Sequence, residues 1–355
     1  MIISRTPFRI SFLGGGTDYP EWVARHGGAV LATAINKYCY LSCRYLPPFF
    51  ENRYKIVYSK IENCQNIDEI LHPGVRETLR FLNAERGLEI HYDADLPARG
   101  GLGTSSSFIV GLLHALYALK GYMPGKRQLA SESVIIEQQL IKETVGSQDQ
   151  YIAAYGGFNH IVFSPSGEVI VTPITIPPER MLEFNRHLML FFTGINRTAS
   201  DIAKSYTQNV EQKERQLHEI GQMVDAGIDI LNSQQPLALF GKLLHEAWQL
   251  KHSLSDCVSN RFIDEIYAQA RAQGALGGKL TGAGGGGFML FFAPPEAHER
   301  IRNALNGLIY IPIKFDKLGS QIIFYDPEED YLVEEKMRTQ QPGLAFRELS
   351  SLSLS

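Results

Sequence analysis

From Phe8 to Tyr58 hydrophobic and polar positions follow a strand-like pattern. The segments FRISFLG, AVLATAIN, KYCYLSCRYL and YKIVY are short and β-prone, and they are punctuated by Gly14 to Gly16 and by Gly27-Gly28. The chain is therefore predicted to open on a sheet. A helical period sets in from Val75 to Ala84, and another strand, LEIHYDA, follows. A glycine-rich loop at Arg99 to Gly103 then leads into an amphipathic helix that runs through Leu119. Two more helical segments surround Glu137 and Gln150. FNHIVFS and EVIVTPI alternate as strands joined by the turn Ser164-Pro165-Ser166-Gly167.

Pro177-Pro178 marks the expected domain boundary, which gives domains of 1–178 and 179–345 and a frayed tail at 346–355, LSSLSLS at its end. The second half begins with the apolar strand HLMLFFT. Long helical patterns from about Ala199 to Leu231 and from Leu237 to Ser253 come next, and mixed strand and helix close it. Its least ordinary segment is KLTGAGGGGFMLFF, in which glycines crowd in front of an apolar strand. No repeat of fixed period is present.

At 355 residues with 44% hydrophobic positions, the chain can bury two cores of ordinary size. Charge narrows the partners: 34 Lys plus Arg against 38 Asp plus Glu leave −4, which provides no global field for nucleic acid or anionic lipid. Arg5 and Arg9 interrupt the apolar N-terminal stretch, which lacks the core of a signal peptide, and no apolar run reaches membrane-spanning length. Cys39, Cys43, Cys64 and Cys257 are too sparse for a disulfide framework or a thiolate zinc site. A soluble cytoplasmic protein whose partners are small molecules is expected.

Two glycine-rich loops carry candidate chemistry. In LPARGGLGTSSSF, Gly100, Gly101 and Gly103 allow a ligand close to the backbone, and Thr104, Ser105 and Ser106 open a helix whose amides and dipole favour phosphate oxygens. A Ser-capped helix after an ordinary turn is the plainer reading. The second loop, Gly282-Ala283-Gly284-Gly285-Gly286-Gly287, fits G-x-G-x-x-G, yet it runs into FMLFF instead of a helix, so a dinucleotide fold is not indicated. Nor is it a Walker loop, because Leu280 follows Lys279 where a hydroxyl is needed. A tight glycine turn for backbone packing also accounts for it.

Together, TPFRISFLGGGTDYP, LPARGGLGTSSS and KLTGAGGGGF, in this order, resemble the GHMP kinases across almost the whole chain. The resemblance implies an α+β protein of two domains. The N-terminal one is ribosomal-protein-S5-like with a left-handed crossover, an exception to the usual handedness, and the C-terminal one is ferredoxin-like, with the active site in the cleft between them. It also implies ATP and Mg²⁺. Carried over motif by motif, Gly100, Gly101, Gly103, Thr104, Ser105 and Ser106 are the ATP phosphate loop, and Ser105 and Glu137 hold the metal. Asp149 meets the acceptor hydroxyl with Arg9 beside it, where a guanidinium keeps the carboxylate ionised and stabilises developing charge. Gly282, Ala283, Gly284 and Gly285 form a phosphate or substrate loop.

Gly15, Gly16, Thr17 and Asp18 are the implied acceptor-binding segment. Where galactokinases read G-E-H-T-D-Y, this chain has Gly14-Gly15-Gly16-Thr17-Asp18-Tyr19, which removes an acid and an imidazole and makes room for a longer or anionic sugar. With ETVGSQDQYIAAYGGFN added, the motifs resemble the branch that phosphorylates the anomeric hydroxyl of D-glycero-D-manno-heptose 7-phosphate. Arg99, Arg197, Lys251 and His252 are candidates for meeting that sugar's phosphate. Another sugar-1-kinase, L-fucose kinase-like or galactokinase-like, and a catalytically silent sugar/ATP sensor are the competing readings.

Overall fold

The protein is described by a computed structural model covering residues 1–47, 50, 52–98, 100–195, 213–327, 331, 333–334 and 336–337. The first half runs β1 (Ile2–Leu13), α1 (Pro20–His26), β2 (Gly28–Tyr45), β3 (Tyr54–Val57), β4 (Ile61–Cys64), α2 (Pro73–Phe81), β5 (Leu88–Ala94) and α3 (Thr104–Leu119). It continues with α4 (Lys126–Ile135), a π-helical turn (Ile136–Leu140), α5 (Gln148–Tyr155), β6 (Phe158–Phe163) and β7 (Val169–Pro173). The second half holds α6 (Pro178–Arg186), β8 (Leu188–Phe192), α7 (Glu214–Asn232), α8 (Ala238–His252) and α9 (Arg261–Ala272), then β9 (Gly277–Leu280), β10 (Phe288–Phe292), α10 (His298–Ala304), β11 (Ile309–Ile311) and β12 (Gln321–Tyr325).

Eight strands make the first sheet, in the order β12-β1-β2-β5-β3-β4 with β6 on β2 and β7 on β6. Only the β3–β5 pair in it is parallel. AVLATAIN and KYCYLSCRYL, read above as two segments, are one strand: Asn36 does not turn the chain but is pinned from outside, its amide on the Lys314 carbonyl and its Oδ1 on the Lys314 amide. Register slips at Pro7/Phe8, where a proline can sit because the ladder is already broken. Before this point β1 also pairs with β12; beyond it the free edge takes the glycine loop, Arg9 N donating to Leu102 O at 3.0 Å. The helix α1 was not anticipated, although Pro20 at its start is a helix-entry signal.

The second sheet is antiparallel, order β11-β8-β10-β9. Its fourth, first, third and second strands lie side by side in a β-α-β-β-α-β succession, the ferredoxin-like arrangement. Pro177 and Pro178 stand at the entry to α6. Beyond this sheet the chain returns and β12 completes the first sheet, so the tract after 178 supplies a strand to both. The frayed tail expected at 346–355 lies outside the described residues, as do residues 199–212 of the long helix expected from Ala199.

Strand alternation sorts β1 into two faces. Phe8, Ile10 and Phe12 enter the core shared by both sheets, where the Phe12 ring meets Phe158, Phe184 and Phe240 edge-on at 5.5, 5.3 and 5.9 Å. Arg9 and Ser11 point the other way, into a cleft. The helix α3, expected to be amphipathic, is instead buried on nearly every side against β1 and β2, so that only its first turn is placed to meet solvent and ligand.

Candidate active site

The cleft is walled by β1, the loop after it, the start of α3, the π-helical turn, the start of α5, the end of α8 and the glycine loop after β9. Gly103 sits at φ 72°, in the left-handed region, and starts α3. A Cβ there would lie 3.0 Å from Arg9 Cγ and 3.2 Å from Asp149 Oδ2, so the loop and the ion pair beneath it are fitted to each other. The first-turn amides of a helix have no partner within it, and the hydroxyls of this turn divide their work. Ser107 donates to Pro7 O at 2.8 Å, Ser106 donates to Glu137 Oε2 at 2.8 Å, and Ser105 stays exposed in the cleft.

Three consecutive residues at the start of α5 organise the polar centre. Asp149 accepts from Arg9 through two parallel bonds, Nε to Oδ1 at 2.6 Å and Nη2 to Oδ2 at 2.7 Å, while Arg9 Nη1 donates to Gly101 O at 2.6 Å. Gln148 holds Asp18 through its backbone amide at 3.2 Å and its side chain at 3.0 Å. Gln150 Nε2 donates to Glu137 Oε2. One helix turn therefore positions both candidate carboxylates and carries the third.

Burial, aided by the charge of Asp149, raises the Asp18 carboxyl above its ordinary range against hydrogen bonds that oppose the shift. Burial pushes Glu137 up to about 8, with the bonds from Ser106 and Gln150 opposing. Its second oxygen, Oε1, is buried without a hydrogen-bond partner. A buried carboxylate oxygen left open beside the Ser105 and Ser106 hydroxyls is the donor set of a hard divalent cation, and the residues present therefore fit Mg²⁺.

Two lysines complete the wall. Lys251 donates to Gly282 O and Lys279 donates to Phe12 O at 2.9 Å. Burial, then the charge of Arg9, pulls Lys251 down to about 8; burial, then Lys251 and Arg9, takes Lys279 well below its usual value. Lys279 was used in the sequence only to reject a Walker loop. A single cation inside an otherwise apolar strand start was its available signal.

Most of the sequence-derived set converges here: Arg9, Gly15, Gly16, Asp18, Gly101, Gly103, Thr104, Ser105, Ser106, Glu137, Asp149, Gly282 and Ala283 line the cleft, with Lys251. Four do not. The Thr17 hydroxyl is turned into its own loop, donating to Gly14 O and Ala29 O at 2.8 and 2.9 Å, so it shapes the acceptor segment from behind. Gly100 packs on the Phe288 ring, a Cβ there falling 2.4 Å from it, and Gly284 packs on the Val258 backbone. Gly285 N donates to Val258 O at 2.9 Å. The outer glycines of both loops thus serve backbone packing, the plainer reading given above for the second loop. His252 faces Asp264 at 3.3 Å instead of the cleft, and Arg99 and Arg197 lie outside the described residues. Gln148, Gln150 and Lys279 were missed as site residues.

A helix start open to phosphate, a metal-type carboxylate and an arginine-paired aspartate in one cleft define a kinase of small molecules. This chain belongs to the GHMP kinases: residues 73–157 match the GHMP kinases N terminal domain and residues 231–310 the GHMP kinases C terminal domain. It is an ATP-dependent phosphotransferase with a sugar alcohol group as acceptor. It is 30% identical over 322 residues to D-glycero-alpha-D-manno-heptose 7-phosphate kinase of Campylobacter jejuni, covering 86% of this chain and 93% of that one. It is 26% identical to the bifunctional fucokinase/GDP-fucose pyrophosphorylase of Arabidopsis thaliana, over 84% of this chain but 30% of that longer protein. Among solved structures, a D-glycero-D-manno-heptose 1-phosphate kinase from Bacteroides thetaiotaomicron superposes with TM-score 0.73 at 24% identity, covering 91% of this chain and 99% of that one, which supports the fold. No helix of the described residues is long and apolar enough to cross a membrane.

Proposed function

We propose that this protein transfers the γ-phosphoryl group of ATP to the anomeric hydroxyl of D-glycero-D-manno-heptose 7-phosphate, giving the 1,7-bisphosphate. The observation that carries the reading is the Arg9–Asp149 pair set between the start of α3 and the Gly15–Asp18 acceptor wall. Likeness to the Campylobacter enzyme over nearly its whole length supports the choice of sugar.

Phosphoryl transfer asks for little covalent help; it needs the triphosphate held, its charge neutralised and an acceptor oxygen in line. The amides of Ser105 and Ser106 at the start of α3 hold phosphate oxygens. Ser105, Ser106 and Glu137 would hold Mg²⁺, which when bound would supply positive charge to offset that of the phosphates. Each Asp149 oxygen takes one bond from Arg9 and keeps a lone pair for the acceptor hydroxyl. The carboxylate orients that hydroxyl and receives its proton, while Arg9 stays charged beside the transferring group. Asp18, fixed by Gln148 and by the Gly16 amide at 3.1 Å, accepts hydrogen bonds from the sugar.

A coupled ADP-release assay across heptose 7-phosphate, mannose, fucose, galactose and mevalonate, with the new phosphate located in the product, tests the reading. Heptose 7-phosphate is expected to give the highest kcat/KM and a C1 phosphate. Preference for an unphosphorylated sugar would overturn the choice of acceptor. L-Fucose is the competitor that the match to the plant fucokinase favours.

A further inference from the structure

We propose that Lys251 and Lys279, with the Ser11 hydroxyl between them and the acceptor wall, form the seat for the phosphate that the sugar already carries. The proposal rests on the reading of the acceptor as a sugar phosphate. Both lysines come from the second half of the chain, Lys251 from the last turn of α8 and Lys279 from β9, and both line the cleft. Each ammonium has three donors, and the hydrogen bond each makes goes to a backbone carbonyl. Two donors on each are left for a ligand. The Ser11 hydroxyl is buried in the same cleft with no hydrogen-bond partner.

Position decides which phosphate they serve. Lys279 is anchored on Phe12 O, three residues before the acceptor segment, and the charge of Asp18 acts on both lysines, whereas Glu137 sits with Ser106 and Gln150 at the metal end. The lysines therefore flank the acceptor segment. Charge balance agrees. Arg9 and Asp149 pair with each other, and Asp18 is the carboxylate whose charge favours the ammonium forms of both lysines against the burial that lowers them. Buried cations repelling one another are costly unless an anion joins them, and a sugar's phosphate dianion supplies that charge. Lys251 is the more exposed of the two, and its carbonyl partner, Gly282, also lines the cleft.

The test uses the full chain. Binding of heptose 7-phosphate and of its unphosphorylated parent heptose, each without nucleotide, and of ATP in a separate titration is measured by calorimetry for the wild type, Lys279→Met and Lys251→Met. Either variant is expected to weaken heptose 7-phosphate about tenfold or more, and to leave the parent sugar and ATP within about twofold. Unchanged ATP binding also reports an intact fold, and Lys251→Met does not disturb the core if Lys279→Met proves unstable. Retained preference for the phosphorylated sugar in both variants would overturn this proposal alone. Loss of ATP binding with heptose 7-phosphate binding kept would assign the lysines to the nucleotide's phosphates and overturn it too. Equal loss for both sugars would reduce them to general support and also refute it. A wild type that binds the parent sugar more tightly would instead refute the choice of acceptor itself.

Discussion

Asp149 and Glu137 are both carboxylates on neighbouring helical segments, and their surroundings give them opposite tasks. Asp149 is partly open and accepts two bonds from Arg9, which fix its carboxylate in the cleft facing the acceptor side. Removing its charge by Asp149→Asn is expected to lower kcat by about two to four orders of magnitude, as for loss of a general base, with KM for ATP little changed in steady-state kinetics. Glu137 is buried, and its carboxyl is pushed up to about 8 from an ordinary 4.5. Below about pH 8 a cation must displace its proton, so apparent Mg²⁺ affinity should rise with pH from 6 to 8 and level off above. Glu137→Gln should weaken Mg²⁺ use and flatten that profile; a profile unchanged in the variant would remove Glu137 from the metal site. Because the folded-state value is raised, the stability associated with this group is present below 4.5 and is lost as pH climbs through about 8 in metal-free protein. The thermal midpoint of the metal-free variant should accordingly fall less over that window. The sequence marked both carboxylates through the order of motifs. It did not mark Gln148 or Gln150, because a glutamine that holds a buried carboxylate looks like any polar residue on a helix until its partner is known.

Elements carry the site through close approach. At Gly146 a Cβ would fall 2.0 Å from Asp18 Oδ2, so Gly146→Ala must displace the acceptor carboxylate. KM for the sugar should rise about tenfold or more, in line with 1.5–3 kcal/mol for a charged hydrogen bond, with KM for ATP unchanged. Pairing of loop with loop is equally tight: a Cβ on Gly282 would lie 2.5 Å from Gly101 Cα. Strand positions were readable in the sequence because alternation reports burial directly. The nature of α3 was not. Its serines read as hydroxyls open to a ligand or as a cap, but Ser106 and Ser107 are buried and bonded inward, and the helix is enclosed. A π-helical turn that carries Glu137 leaves no sequence signature comparable to a cap or a glycine, and such turns recur at functional sites.

At the level of the whole molecule, the two sheets share one aromatic core, and the cleft depends on it. Phe12 supplies a ring to this core while its neighbour Ser11 lines the cleft. Phe12→Ala should cost about 3–5 kcal/mol in denaturant unfolding, the range for a large aromatic removed from a packed core. The two-domain GHMP kinase fold was implied by the motifs, and the ferredoxin-like second half has the strand order expected of it. The return of β12 to the first sheet was not legible, since QIIFY pairs with residues more than three hundred positions earlier and nothing local records so distant a partner. The most direct test of the central claim is single-turnover transfer from ATP to heptose 7-phosphate by wild type and Asp149→Asn, with both ligands saturating. Rapid formation of a C1 phosphate by the wild type and transfer slowed about a hundredfold or more in the variant are the expected results. Transfer by the variant within about tenfold of the wild type would contradict the assignment of Asp149 as the group that takes the acceptor's proton.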